Sequence, residues 1–168
     1  MNSKLSTENK FLLFVLFLVF IGYAWLVWSP IEDLLVHFIV DDAFYYFKTA
    51  SNIAKGLGPT FDGEHLTNGY HPLWMGLSVL IYNFIPNDKI LPIQIILVIS
   101  VFLFFIATLI LWKIISGFFD NKWIPGLLAL AYALNPWNAN IYLNGLETPL
   151  AMALLALLFW RFLPRFFR

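Results

Sequence analysis

Three stretches of this chain carry no charged side chain at all: residues 11–28, 90–112 and 123–146, which are 18, 23 and 24 residues long. A helix of about 20 apolar residues matches the roughly 30 Å hydrocarbon core of a bilayer. Runs of this length limit the fold more than any other feature, because backbone in lipid must satisfy its own hydrogen bonds. The remainder agrees. Of 168 residues, 61% are hydrophobic and 12% charged, against roughly 25% charged in a soluble domain. A soluble enzyme and a disordered tail are excluded. A net charge of zero gives no global field to attract a polyanion, which sets nucleic acid aside as a partner. With no cysteine, disulfides, thiolate catalysis and Cys-based metal sites are absent.

The expectation is an all-α integral membrane protein forming one membrane domain over 1–168, with about four transmembrane helices and two interfacial helices. The first span is 11–28, behind Lys4 and Lys10. Its end lacks a small-residue cleavage pattern, so it reads as an uncleaved anchor. Further spans are expected at 90–112, 123–143 and 148–163. Asn135-Pro136 must bend or end the third, and Arg161 can snorkel from the fourth. The segment 73–85, between Pro72 and Pro86, would reach only about 20 Å as a helix, too short to cross.

Charge decides whether that short segment crosses. If it does not, Lys4, Lys10, Lys113, Lys122, Arg161, Arg165 and Arg168 lie inside, with Lys48, Lys55 and Lys89 outside. If it crosses, the seven-to-three split reverses. The positive-inside rule selects the first arrangement: a multi-pass cell-membrane protein with a cytoplasmic N-terminus and its acidic loops on the outer side.

The long outer loop, 29–89, carries the chemistry. Residues 41–55 read as a helix begun by an acidic cap. Ala43, Phe44, Phe47, Ala50 and Ala54 fall on one side, with Lys48, Ser51, Asn52 and Lys55 on the other, as in a helix lying at a membrane surface. Gly56 stops it. Turn dipeptides Asp62-Gly63 and Asn68-Gly69 follow, then His71-Pro72 and the short helix. This layout puts Asp41, Asp42, Asn68, Tyr70 and His71 near the outer boundary.

Three readings of Asp41-Asp42 stand side by side: carboxylates favoured by a helix start, ligands for a divalent cation such as Mg²⁺ or Mn²⁺, or a general base for a hydroxyl. Glu147, between the third and fourth spans, reads either as a cap ahead of Pro149 or as a functional acid on the same face. His65 and His71 lack a third ligand for a metal site. His71 suits an anion near a helix start.

The residues Asp41-Asp42-Ala43-Phe44-Tyr45-Tyr46, the run 52–58, Phe61-Asp62-Gly63 and the run 67–74 resemble the first outer loop of GT-C membrane glycosyltransferases. The run 144–150 resembles the second outer-loop motif of the same proteins. The relatives meant are the polyprenyl-phosphate-sugar-dependent group, including protein mannosyltransferase-like and aminoarabinose transferase-like enzymes. The resemblance implies an inverting glycosyltransferase that moves a sugar from a polyprenyl-phosphate-linked donor to an acceptor hydroxyl on the outer side. It implies catalytic roles for Asp41 and its neighbour Asp42, with Asp41 as base or, where a divalent ion is used, as ligand. It implies substrate contacts for His71 and Glu147, with His71 on the donor phosphate. Tyr45 and Asn68 lie in the resembling motifs and are taken as substrate-binding. In the mannosyltransferase-like group the position of His71 often holds lysine. Members of the family usually have more spans, so this chain reads as a portion truncated at its C-terminus, inactive without further helices or a partner subunit. The alternative is a non-catalytic membrane fragment or paralogue acting as a lipid- or partner-binding subunit.

Overall fold

The computed structural model describes residues 7–166, with side chains described to residue 163. Among the described residues the chain is all-helical: α1 (Thr7–Leu26), α2 (Ile31–His37), α3 (Asp41–Ala54), α4 (Pro72–Phe84), α5 (Leu91–Ile115), α6 (Trp123–Leu134), α7 (Pro136–Tyr142) and α8 (Thr148–Phe166). Lys4, Arg165 and Arg168 of the charge argument lie outside the described residues or side chains. Helices α1 and α5 are long and apolar enough to cross a membrane. Helices α4 and α6 and the stretch Thr148–Leu163 of α8 are apolar over shorter lengths.

Four helices make the body, and side-chain contacts fix their directions. Gln94, at the start of α5, donates to the Val27 carbonyl beyond the end of α1 (3.3 Å). Leu12, near the start of α1, meets Trp112, near the end of α5, around Gly126 at the start of α6. So α1 and α6 run one way and α5 the other. Lys113, near the end of α5, sits 4.5 Å from the ring centroid of Trp160, late in α8, which makes α8 parallel to α5. One pole of the bundle therefore gathers Lys10, Lys113, Lys122 and Arg161. The other gathers α2, α3, α4 and the 143–147 loop, and with them Asp41, Asp42, Asp88 and Glu147.

The core is aromatic where the helices cross. Phe104 stacks on Tyr142 (3.8 Å between centroids) and meets Phe20 and Tyr132 edge-on. Outward, α1 exposes Phe11, Phe14, Phe17, Leu18, Ile21 and Trp25, the last at 80%. These side chains, three or four residues apart, make an apolar stripe along one face of α1.

The 123–143 segment departs from a continuous helix. Asn135 is extended and Pro136 starts α7, whose first turn is capped by the Asn135 carboxamide accepting from the Trp137 amide (3.0 Å). A helix end leaves carbonyls without partners. Here the Tyr23 hydroxyl donates to the Ala133 carbonyl (2.9 Å) and the Asn138 side chain to the Tyr132 carbonyl (2.7 Å). The break is thus made compatible with apolar surroundings.

Two further differences concern the 29–89 loop. It holds three helices, not two, because α2 forms behind Pro30. And α3 is more than a surface helix with one apolar side. Asn52, expected on the polar side, is buried, while Phe44 is exposed. The reason lies in the 57–70 loop, which folds back over α3 and takes hydrogen bonds from the Asn52 side chain to the Thr60 and Phe61 carbonyls (3.0 and 3.1 Å).

Candidate functional site

Three helices begin at one cleft. Its volume is about 530 Å³, and its lining includes Asp41 and Asp42 from the start of α3, His71 from the start of α4, and Leu146 and Glu147 from the start of α8. Each helix start presents free backbone N–H groups and the positive end of its dipole. Tyr45, Tyr46, Phe61 and Gly69 complete the wall.

The local sequence explains each start. Val40, not Asp41, is the N-cap of α3; its backbone is extended and no side chain caps the helix. Asp41 and Asp42 are therefore the first two helical residues. Both are exposed, and neither carboxylate accepts a hydrogen bond from a described residue. Pro72, whose ring fixes φ and removes an amide the helix would not use, opens α4 behind His71. The far end of α3 closes in a Schellman motif: the Leu57 amide reaches the Asn52 carbonyl (2.9 Å) and the Gly56 amide the Ile53 carbonyl (3.0 Å), with Gly56 at φ +78°.

The 143–147 loop brings the third start into place. The Val40 amide donates to the Asn144 carbonyl (3.3 Å). The Trp74 indole, buried in α4, donates to the Gly145 carbonyl (3.2 Å). Gly145 has φ +84°, and a Cβ there would stand 2.8 Å from both Ala43 Cβ and Phe47 Cζ. Only glycine allows both that conformation and that approach. The Asn144 side chain accepts from the Leu146 amide (2.9 Å), which turns the chain into α8. The Glu147 carbonyl accepts from the Ala151 amide (3.0 Å), so its backbone caps α8 while its carboxylate is free to face the cleft.

That carboxylate lies 3.1 Å from His71 Nε2. Tyr46 joins the pair: its hydroxyl oxygen accepts from the His71 amide (2.9 Å), and the Glu147 carboxylate acts on that hydroxyl electrostatically. Burial pushes the Tyr46 hydroxyl up to about 12; the His71 amide works against the rise and the Glu147 carboxylate adds to it. Tyr46 therefore stays a neutral donor across the physiological range. The His71 side chain is 69% exposed and Glu147 26%, so the imidazole stands at the mouth with the acid behind it.

Of the six residues singled out in the sequence, Asp41, Asp42, Tyr45, His71 and Glu147 line this cleft, and Asn68 does not. Tyr45 stacks on Phe61 (5.4 Å), and its hydroxyl is bonded to that of Thr67. Asn68 is exposed and its carbonyl accepts from the Tyr70 amide (2.9 Å); its neighbour Gly69 forms the wall. Tyr46, Gly145 and Trp74 are the residues the sequence reading passed over. The Tyr45-Tyr46 pair and Asn144-Gly145 were in view, but nothing in one sequence says which tyrosine turns inward or which glycine needs a positive φ.

Among the described residues no three His, Asp or Glu side chains converge closely enough to hold a metal ion. Asp41 and Asp42, one residue apart on a helix, diverge by about 100°. No family model, curated protein or solved structure matches this chain.

Proposed function

We propose that this chain is a membrane glycosyltransferase of the GT-C kind, drawing on a polyprenyl-phosphate-linked sugar donor at the outer face of a cell membrane. The single observation that carries the reading is the meeting of three helix starts, two free carboxylates and an imidazole in one cleft at one pole of an apolar-clad bundle. Helices α1, α5, the α6–α7 pair and α8 are four spans in this reading, with the basic pole inside and α3 and α4 at the outer interface. The apolar exteriors of α1, α6 and α8 support it.

The chemistry follows from what each group can do. Three helix starts favour an anion, and the donor's phosphate is one anchored at the interface by its lipid. Glu147 holds the His71 ring through Nε2, and Tyr46 holds the residue through its backbone amide. The exposed ring at the mouth of the cleft is the contact for a phosphate oxygen. Asp41, unencumbered by other hydrogen bonds, takes the proton of the acceptor hydroxyl. The acceptor oxygen bonds to the anomeric carbon as the bond to the phosphate oxygen breaks, and the lipid phosphate leaves with the electron pair. Attack opposite the leaving group inverts the sugar carbon. Tyr45 and Phe61 offer a stacked aromatic wall for the sugar, and Asp42 adds negative charge beside the base.

The test is transfer of a radiolabelled sugar from a polyprenyl-phosphate donor in membranes carrying the chain. Replacing Asp41 by Asn should lower transfer at least 100-fold, the range of a lost general base, with membrane insertion unchanged. With the chain joined to the further helices that the resemblance implies, transfer at the wild-type rate in Asp41→Asn removes the base assignment, and no transfer by the wild-type protein removes the reading.

A further inference from the structure

A second groove, about 820 Å³, lies beside the cleft and shares with it only the rings of Phe44 and Phe61. Lys48 and Lys55 line it from α3, and Lys89 from the turn before α5. These are all the lysines between α1 and α5. On α3 the two stand seven residues apart, two turns along one face and roughly 10 Å in rise, with Ser51 between them. None of the three ammonium groups is paired with a carboxylate among the described residues. Asp88, the one acid in the lining, is engaged elsewhere: its carboxylate accepts from the Ile90 and Leu91 amides (2.7 and 2.9 Å). These bonds hold it below the usual carboxylate range, so it stays ionised and leaves a surplus of positive charge.

Apart from Ser51, Tyr82 and Asn87, the rest of the lining is apolar. Ile31 and Leu35 of α2, Phe44 of α3, and Ile90 and Ile93 at the start of α5 form it. Leu35, Phe44 and Ile90 are exposed. A groove that combines three unpaired cations with apolar side chains and runs onto a span-length helix matches an amphiphile, not a free ion. Lysine is a point-charge phosphate binder with a flexible stem, and each lysine near an anionic surface contributes about 1 kcal/mol, or roughly fivefold in affinity.

We propose that this groove seats the phosphate headgroup of an anionic bilayer phospholipid, its acyl chains lying along the exposed flanks of α5 and α2. The site depends on the bundle's place in the bilayer and not on sugar transfer. It sets the height and tilt of α3, and so of Asp41, relative to the membrane surface.

Binding of fluorescently labelled phosphatidylglycerol to the detergent-solubilised full chain tests it. Unlabelled phosphatidylglycerol should compete, while phosphatidylcholine and inorganic phosphate should not. The triple variant Lys48→Gln/Lys55→Gln/Lys89→Gln should weaken binding by about 100-fold, each single change by about fivefold. The triple arginine variant should retain it. Lys113→Gln, at the opposite pole, serves as the matched control and should leave affinity unchanged. Circular dichroism of each variant reports whether the fold is kept, and the arginine variant keeps the test decisive if the glutamine one unfolds. Wild-type affinity in a folded triple glutamine variant, loss of binding in the folded arginine variant, or equal competition by phosphatidylcholine or inorganic phosphate, overturns the proposal. Lipid binding can hold or fail independently of transfer activity, so the two readings stand or fall separately.

Discussion

At the basic pole, α1, α5 and α6 meet through side chains alone: Gly126 lets Leu12 and Trp112 close over the start of α6, and a Cβ there would stand 2.5 Å from Leu12 Cδ1. At the acidic pole, helix starts meet through backbone. The Asn144 and Gly145 carbonyls accept from the Val40 amide and the Trp74 indole, and Gly145 does so at φ +84°. The obstacles at Gly126 are the tip of the Leu12 side chain and, at 2.9 Å, the ring edge of Trp112, but its backbone is ordinary helix. The obstacles at Gly145 are a Cβ and a ring edge on one buried helix, met at a positive φ. Both ends are thus tight in contact, and only the acidic end is fixed in backbone conformation as well. A site needs the second kind of construction, since catalytic groups must be held within fractions of an ångström.

The sharpest way to break that contrast is Gly145→Ala. Left-handed backbone costs about 1–2 kcal/mol for a residue with a Cβ, and overpacking adds about 1–3 kcal/mol. The variant should lose about 2–5 kcal/mol, seen as a lowered Tm in detergent. Hydrogen exchange of the Trp74 indole should accelerate as its bond to Gly145 opens, and sugar transfer should fall with it. An indole proton as protected as in the wild type would mean that the loop is held by something other than Gly145.

The matching change at the other pole is Gly126→Ala. Overpacking costs about 1–3 kcal/mol, but alanine regains about 1 kcal/mol of helix propensity. A net loss of about 0–2 kcal/mol is expected, with Trp74 exchange unaltered. If exchange at Trp74 rises as much as in Gly145→Ala, the poles are coupled through the bundle and the contrast between them fails.

How much of this was legible beforehand differs between the same regions. Periodicity and charge are one-dimensional signals, and they located α1, α3, α4, α5 and the break at Asn135-Pro136. They also put Asp41 and Glu147 on one side of the chain. Contact between the two outer segments is another matter. That Glu147 reaches His71 across 76 positions depends on the turn at Gly145 and on the Trp74 bond, neither of which has a periodic signature. The face of α3 was misread at Asn52 for the same reason: a helix wheel assigns polar residues to water, and only the folded 57–70 loop supplies carbonyls that make burial of a carboxamide favourable. Helix α2, seven residues long, is too short for any period to declare itself.

The smallest effect lies one turn before Asn52, inside α3. Thr49 is fully buried and its hydroxyl has no hydrogen-bond partner, whereas Asn52, equally deep, bonds both carbonyls it faces. A buried donor without a partner carries its desolvation cost unrelieved, about 1–3 kcal/mol. Valine has the shape of threonine without that group, so Thr49→Val should stabilise by up to about 1 kcal/mol, raising Tm by about 2–4 °C. It should leave transfer unchanged, since Thr49 does not line the cleft. A lowered Tm would mean that the hydroxyl is satisfied in solution by an enclosed water, and that α3 is anchored at two polar points and not one. The fixed pole would then owe more of its rigidity to α3 itself and less to the loop carrying Gly145.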